Sequence, residues 1–341
     1  MFLRRSFPYK VAVYLQYAVY LSAKTVCMAF EVQVQDIGKD QVILLKDNST
    51  GTTAEIFSIG ALLNSFSLPV QGKLFNIIDG FSNPAEAAGS ITDGFKSAKL
   101  SPFTCRMHHG EYQHQGTDYK IEKFYLLTHA IHGIIYDAPY TIADTKASEQ
   151  GASVTLQYHY PGTDAGYPFT YDVTVQWQLQ AGNHLTVTTT IQHQNDTAIP
   201  LADGWHPYFK LDVPVNDCVL QFDGRTQLEF DDTLIPTGKL FADERFVEGA
   251  LMQDTFLDNC FVLDAPVTQP RCTYSSPLLK LTIQPDKAYP YLQIYTPSHR
   301  QSIAIENLSA PPDAFNNKKG LILAEKNTPV QFSTTYIIET I

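Results

Sequence analysis

From Phe30 onward, apolar and polar positions alternate in short blocks instead of recurring every three to four residues. Val173, Val175, Trp177 and Leu179 alternate with Thr174, Gln176 and Gln178. A period of two marks a half-buried strand, because successive strand side chains point to opposite faces. Ala181-Gly182-Asn183 then supplies a reversal, and Leu185, Val187, Thr189 and Ile191 resume the alternation. Residues 173–192 therefore predict an antiparallel hairpin. Similar apolar runs at Val154–Tyr158, Leu278–Ile283, Tyr291–Tyr295 and Gln331–Ile338 are separated by Gly, Pro, Asn and Asp. No stretch beyond residue 30 sustains a long 3.6-residue period, so helices should be few and short. With no linker, repeat or low-complexity block, residues 30–341 predict a single all-β domain of the antiparallel sandwich type.

The first 29 residues read differently. Arg4, Arg5 and Lys10 precede an apolar stretch from Val11 to Ala23, followed by Lys24 and Cys27-Met28-Ala29. This has the outline of a signal peptide, which would place the protein in the periplasm or outside the cell. Gln16 and three tyrosines within the apolar stretch fit that chemistry poorly, and initiation at Met28 is the alternative. The latter reading, with a cytoplasmic location, is the expectation.

Composition narrows the class. A chain of 341 residues with 44% hydrophobic and 17% charged residues can bury a large core and is not disordered. Aromatic residues at 12%, mostly Tyr and Phe, favour strands, and tyrosine suits a polar ligand cleft. A net charge of -11 argues against nucleic acid or an anionic membrane as partner, and leaves a neutral small molecule compatible. Five dispersed cysteines without a CxxC pair argue against a zinc ribbon or a disulfide scaffold.

Four segments carry polar residues that strand packing does not require. They are Ser101-Pro102-Phe103-Thr104-Cys105-Arg106, His129-Ala130-Ile131-His132-Gly133, Gly204-Trp205-His206-Pro207-Tyr208-Phe209, and Ile303-Ala304-Ile305-Glu306-Asn307-Leu308. Asp258 stands in a further segment, Asp254-Thr255-Phe256-Leu257-Asp258-Asn259. Taken in chain order, with the Asp258 segment before that of Glu306, the motifs resemble the aldose 1-epimerase (galactose mutarotase) family, over roughly residues 30 to 341. The resemblance implies a β-supersandwich, a free hexose such as galactose or glucose as substrate, and neither metal nor organic cofactor. A monomer or weak dimer without stable membrane association is the expectation.

Exchanging anomers requires breaking the bond between C1 and the ring oxygen, rotating about C1–C2, and reclosing. The ring oxygen needs an acid and the C1 hydroxyl a base, each worth roughly 10²–10⁴-fold. By the resemblance, Glu306 is the base and His206 the acid, with His132 a second donor near the ring oxygen. Arg106 and Asp258 would hold sugar hydroxyls, as a guanidinium fork or a carboxylate can grip two vicinal groups.

Each residue also has a plainer reading. Glu306 could be a solvated strand residue, His206 a hydrogen-bonded core imidazole, His132 part of a turn, Asp258 a turn former and Arg106 a structural cation. Their joint occurrence in family order favours the functional reading. The run His108-His109-x-Glu111-x-x-His114 lacks zincin spacing and reads as a solvated loop. This chain departs from the family pattern in carrying Cys105 before the motif Arg, where many members have Gly. It also lacks a Trp after the His-Gly pair, and Tyr140 or Tyr136 is expected to stack on the sugar in its place. Alternatives are a hexose-6-phosphate 1-epimerase, with Lys318-Lys319 as phosphate ligands, and a non-catalytic carbohydrate-binding β-sandwich. A two-carboxylate glycosidase using Asp258 and Glu306 is a third.

Overall fold

The structure, a computed structural model, describes residues 28–264 and 271–341. The basic and apolar segment through Cys27 lies outside them. The predicted hairpin is present as Tyr171–Gln180 paired with His184–Gln192, turning through 181–183 with Asn183 and Gly182 at positive φ. Inward-facing Val173, Val175, Trp177 and Leu179 are fully or almost fully buried, while the intervening polar residues are partly exposed. The alternation thus reports which side of the pleat meets the core.

That hairpin is the middle of a nine-stranded antiparallel sheet that also contains Gly151–Tyr160, Leu279–Pro285 and Val330–Thr340. A second sheet runs in the order Pro236–Ala242, Thr226–Phe230, Asp258–Val262, Tyr291–Tyr295, Ile303–Leu308, Gly204–His206 and Ala98–Leu100. The two sheets stack face to face. Trp177 meets Trp205 edge-on at 5.5 Å, Tyr336 meets Phe209 at 5.7 Å, and Phe222 meets Phe261 at 4.8 Å. Even the polar Asn307 joins this layer, donating to Thr334 Oγ1 at 3.1 Å across the gap. A five-stranded meander over residues 30–76 packs on the first sheet, where Trp177 Nε1 donates to Ala61 O at 2.9 Å. Among the described residues the α-helices are Pro84–Ser90, capped by the Asn83 side chain on Glu86 N, and Ala314–Asn317. The architecture is the large all-β sandwich with few short helices that the periodicity predicts.

In the second sheet, Ile303–Leu308 is buried on both faces. Ile303, Ile305 and Asn307 point into the sandwich, and alternation sends Ala304, Glu306 and Leu308 to the outer face. Loops and a small three-stranded sheet of Tyr125–Leu126, His129–Ile131 and Arg106–Met107 roof that face. A cleft remains between roof and sheet.

Candidate active site

The floor of the cleft follows from strand register. Cys260 pairs with Gln293 and Gln293 with Glu306, so the three lie in one row across neighbouring strands on the outer face. Asp258, two residues before Cys260, shares that face and accepts from Gln293 Nε2 at 2.9 Å. Glu306 is only 1% exposed.

His206 arrives on the next strand. Gly204–His206 pairs with Ala98–Leu100, and Ser97 N donates to His206 O at 2.9 Å. Pro207 has no N–H and interrupts the ladder, after which Tyr208 and Phe209 pair with Ala304 and Ile303. The break leaves the imidazole between two rings, stacked on Tyr208 at 5.1 Å and edge-on to His132 at 4.9 Å. Its Nε2 stands 3.4 Å from Glu306 Oε1.

The roof brings His132 and Arg106. His132 adopts φ 62° and donates its backbone N–H to Cys105 O at 2.9 Å; Cys105 is itself left-handed at φ 48°. Gly133 follows at φ 75°, and a Cβ there would fall 2.3 Å from Ser101 O. The His-Gly pair therefore holds glycine because backbone meets backbone, and this contact fixes the histidine over the cleft. Arg106 pairs with Ile131, and its carbonyl accepts from Asp313 N at 2.6 Å. Together His206, Glu306, Arg106, His132 and Asp258 line one cleft of about 450 Å³.

Burial sets the protonation of this cluster. Desolvation pushes the Glu306 carboxyl well above the ordinary carboxylate range; nearby Asp258 adds to the rise and Arg106 opposes it. Burial also raises Asp258, against the pull of Arg106 and the Gln293 hydrogen bond. The His206 imidazole is lowered by burial to about 4. His132 is lowered well below the ordinary range by burial first, then by His206 and Arg106. His132 Nδ1, His206 Nδ1, Glu306 Oε2 and Gln293 Oε1 are buried without a protein hydrogen-bond partner among the described residues. Such atoms favour a polar ligand that can pair with them.

Two expectations are corrected. Tyr140 does not line the cleft: it is 3% exposed, packs in the main core and meets Tyr158 at 5.4 Å. Its segment is tied down by Tyr140 N to Ser58 O and Gly60 N to Ala138 O, which turns the ring inward. Tyr136 sits one layer back, edge-on to Phe95, and the Phe and Tyr rings at the cleft are Phe95, Tyr208, Phe230 and Tyr295. Lys318 and Lys319 do not reach the cleft either; their ammonium groups donate to the carbonyls of Phe315 and Gly238. In the His-rich run the His108 and His109 rings lie 4.1 Å apart, whereas Glu111 pairs with Lys120 and His114 with Ala198 O.

Gln293, Phe95, Tyr208 and Cys105 line the cleft without having been singled out as site residues. Gln293 carried a usable signal, a polar side chain centred between Tyr291 and Tyr295 on the same strand face.

A sequence model of the aldose 1-epimerase family matches residues 41–336. The chain belongs to the aldose 1-epimerase family. It is an isomerase of the mutarotase type, with a sugar as its class of substrate. It is 27% identical over 237 residues to the uncharacterized protein YihR of Escherichia coli (strain K12), covering 67% of this chain and 75% of that one. It is also 27% identical over 254 residues to a probable aldose 1-epimerase of Arthroderma benhamiae, covering 63% of this chain and 57% of the relative. In fold it is similar to a galactose 1-epimerase from Lactobacillus acidophilus, with TM-score 0.78 at 17% identity, covering 92% of this chain and 99% of the other. A galactose mutarotase-like protein from Clostridium acetobutylicum gives 0.81 at 16% identity, covering 92% and 99%. Thus the family member has the galactose mutarotase-like sandwich that its motif order implies.

Proposed function

We propose that this family member interconverts the α and β anomers of a free hexose, galactose or glucose, using His206 and Glu306 as its acid–base pair. The observation that carries this reading is the 3.4 Å approach of His206 Nε2 to Glu306 Oε1 inside a buried cleft. Ring opening moves one proton onto the ring oxygen and takes one from the C1 hydroxyl. A pair that holds a single proton between its members can do both, and reclosure on the other face restores it.

Burial alone favours the uncharged arrangement, with the proton on Glu306 and His206 neutral. A bound sugar reverses that preference. Its C1 hydroxyl donates to the carboxylate form of Glu306, and its ring oxygen accepts from protonated His206; hydrogen bonds to a charged form stabilise it. Glu306 then acts as base and His206 as acid. Neutral His132 supplies a second ring N–H, while Arg106 and Asp258 hold hydroxyls.

Polarimetry on freshly dissolved α-D-glucose and α-D-galactose tests the reading, comparing wild type with His206→Asn and Glu306→Gln. Faster approach to the equilibrium rotation in wild type, with a loss of about 10²-fold or more in each variant, supports it. Acceleration only of hexose 6-phosphates would move the substrate to the phosphorylated class. No acceleration of any sugar, with sugar binding retained, would leave a binding module.

A further inference from the structure

One cluster in the cleft has a composition that anomer exchange does not explain. Cys105, His132 and Glu306 bring one sulfur, one nitrogen and one oxygen within 4.8 Å of one another. All three are buried, at 5%, 7% and 1% exposure. His132 Nδ1 and Glu306 Oε2 have no protein partner among the described residues. The cluster is also held in place: Cys105 and His132 are both left-handed and joined by the hydrogen bond from His132 N to Cys105 O.

We propose that Cys105, His132 and Glu306 form a binding site for a thiophilic divalent cation such as Zn²⁺, and that a cation bound there excludes sugar. Sulfur, imidazole nitrogen and carboxylate oxygen are the donor types that zinc takes in tetrahedral sites, at roughly 2.0–2.3 Å. Ligand atoms in such a tetrahedron stand about 3.3–3.8 Å apart, so the three must close by about 1 Å, within the reach of side-chain rotation. The fourth position falls to a water molecule, as His206, 3.4 Å from Glu306 Oε1, stands outside the three-donor cluster. On binding, the Cys105 thiol proton leaves to water, as does any proton on Glu306. Thiolate and carboxylate then neutralise the dication, and Asp258 offsets Arg106 beside it. Hard cations such as Mg²⁺ have little use for sulfur and should not compete.

The cation is an inhibitor here, since a Glu306 oxygen committed to metal cannot take the C1 proton. Inhibition therefore rests on the role proposed above for Glu306, whereas binding does not. The surface histidines His108 and His109, with His129 behind them, offer an internal control, because their rings approach one another without joining this cluster.

The test is titration of the full chain with Co²⁺ and Zn²⁺, read by absorption and by polarimetry. One equivalent of Co²⁺ should produce a near-ultraviolet thiolate-to-cobalt band that a chelator removes. Cys105→Ala should abolish the band and weaken Zn²⁺ binding by at least about tenfold. If that variant folds poorly, Cys105→Gly suits the left-handed backbone and replaces it. The His108→Ala/His109→Ala double variant should keep both band and affinity. Each protein's rate with Zn²⁺ is compared with its own metal-free rate, and Mg²⁺ should leave it unchanged. Absence of the band, or its persistence without Cys105, would overturn the site, as would Zn²⁺ sensitivity that disappears with His108 and His109. A Cys105-dependent band without inhibition would keep the site and remove Glu306 from the chemistry.

Discussion

Lys99 and Asp203 form an ion pair of 2.5 Å with neither side chain exposed, directly behind the strand that presents His206. Lys99 pairs with Trp205 in the ladder and lies 4.5 Å from its ring, while Tyr289 donates to Asp203 at 2.7 Å. Removing one member of a buried pair strands the other charge, a loss of about 3–5 kcal/mol. Lys99→Met should therefore lower unfolding free energy by about that amount in chemical denaturation. The double variant Lys99→Met/Asp203→Asn should recover part of it. A single variant within about 1 kcal/mol of wild type would show that the pair is dispensable.

Gly133 admits no side chain. At φ 75°, a Cβ would lie 2.3 Å from Ser101 O and 2.6 Å from Ser101 N, both backbone atoms. Gly133→Ala should lose at least about 2 kcal/mol, since strain and overpacking each cost about 1–3 kcal/mol. Where the variant still folds, displacement of the neighbouring His132 should raise KM for sugar. An unchanged melting temperature would contradict the close approach.

Acidification gives a signed prediction for His206. Its imidazole is lowered from 6.5 to about 4 in the folded chain. Between those values the unfolded chain takes up a proton that the folded one refuses, so this group's contribution to stability falls as pH falls. Relative to wild type, His206→Asn should gain roughly 3 kcal/mol between pH 6.5 and pH 4, with no further gain below. Denaturation series at several pH values measure it. A stability difference independent of pH would place a normally titrating imidazole at this position.

Tyr140→Phe should leave KM for sugar unchanged, because the ring packs in the core and does not line the cleft. Its hydroxyl is buried without a partner among the described residues, so stability should hold or rise slightly. A rise in KM of several fold would return Tyr140 to the sugar face.

The fold was legible wherever a strand has one wet face. Residues 173–192 alternate because one side meets the core, and the hairpin matches that pattern. The cleft was legible through motifs, since Arg106, His132, His206, Asp258 and Glu306 converge on it. What stayed hidden depends on tertiary approach. The Lys99–Asp203 pair joins residues 104 positions apart, and no local pattern announces a lysine facing inward. Tyr140 was misplaced because aromatic content does not say which way a ring turns; the anchoring bonds to residues 58 and 60 decide it. Cys105 shows the converse case. Its left-handed backbone is a conformation that glycine adopts without strain, and nothing in the local sequence pattern announces it.

The row Cys260–Gln293–Glu306 has a consequence for how this site can be gained or lost. It exists only in one alignment of three neighbouring strands. Slipping Ile303–Leu308 by one residue would keep a hydrogen-bonded sheet, yet turn Glu306 toward Thr334 and bring Asn307 out in its place. A one-residue insertion or deletion between Tyr295 and Ile303 is thus a frameshift written in three dimensions. The fold could survive it while the chemistry is deleted, so the length of that short connection belongs to the active site as much as any side chain in it.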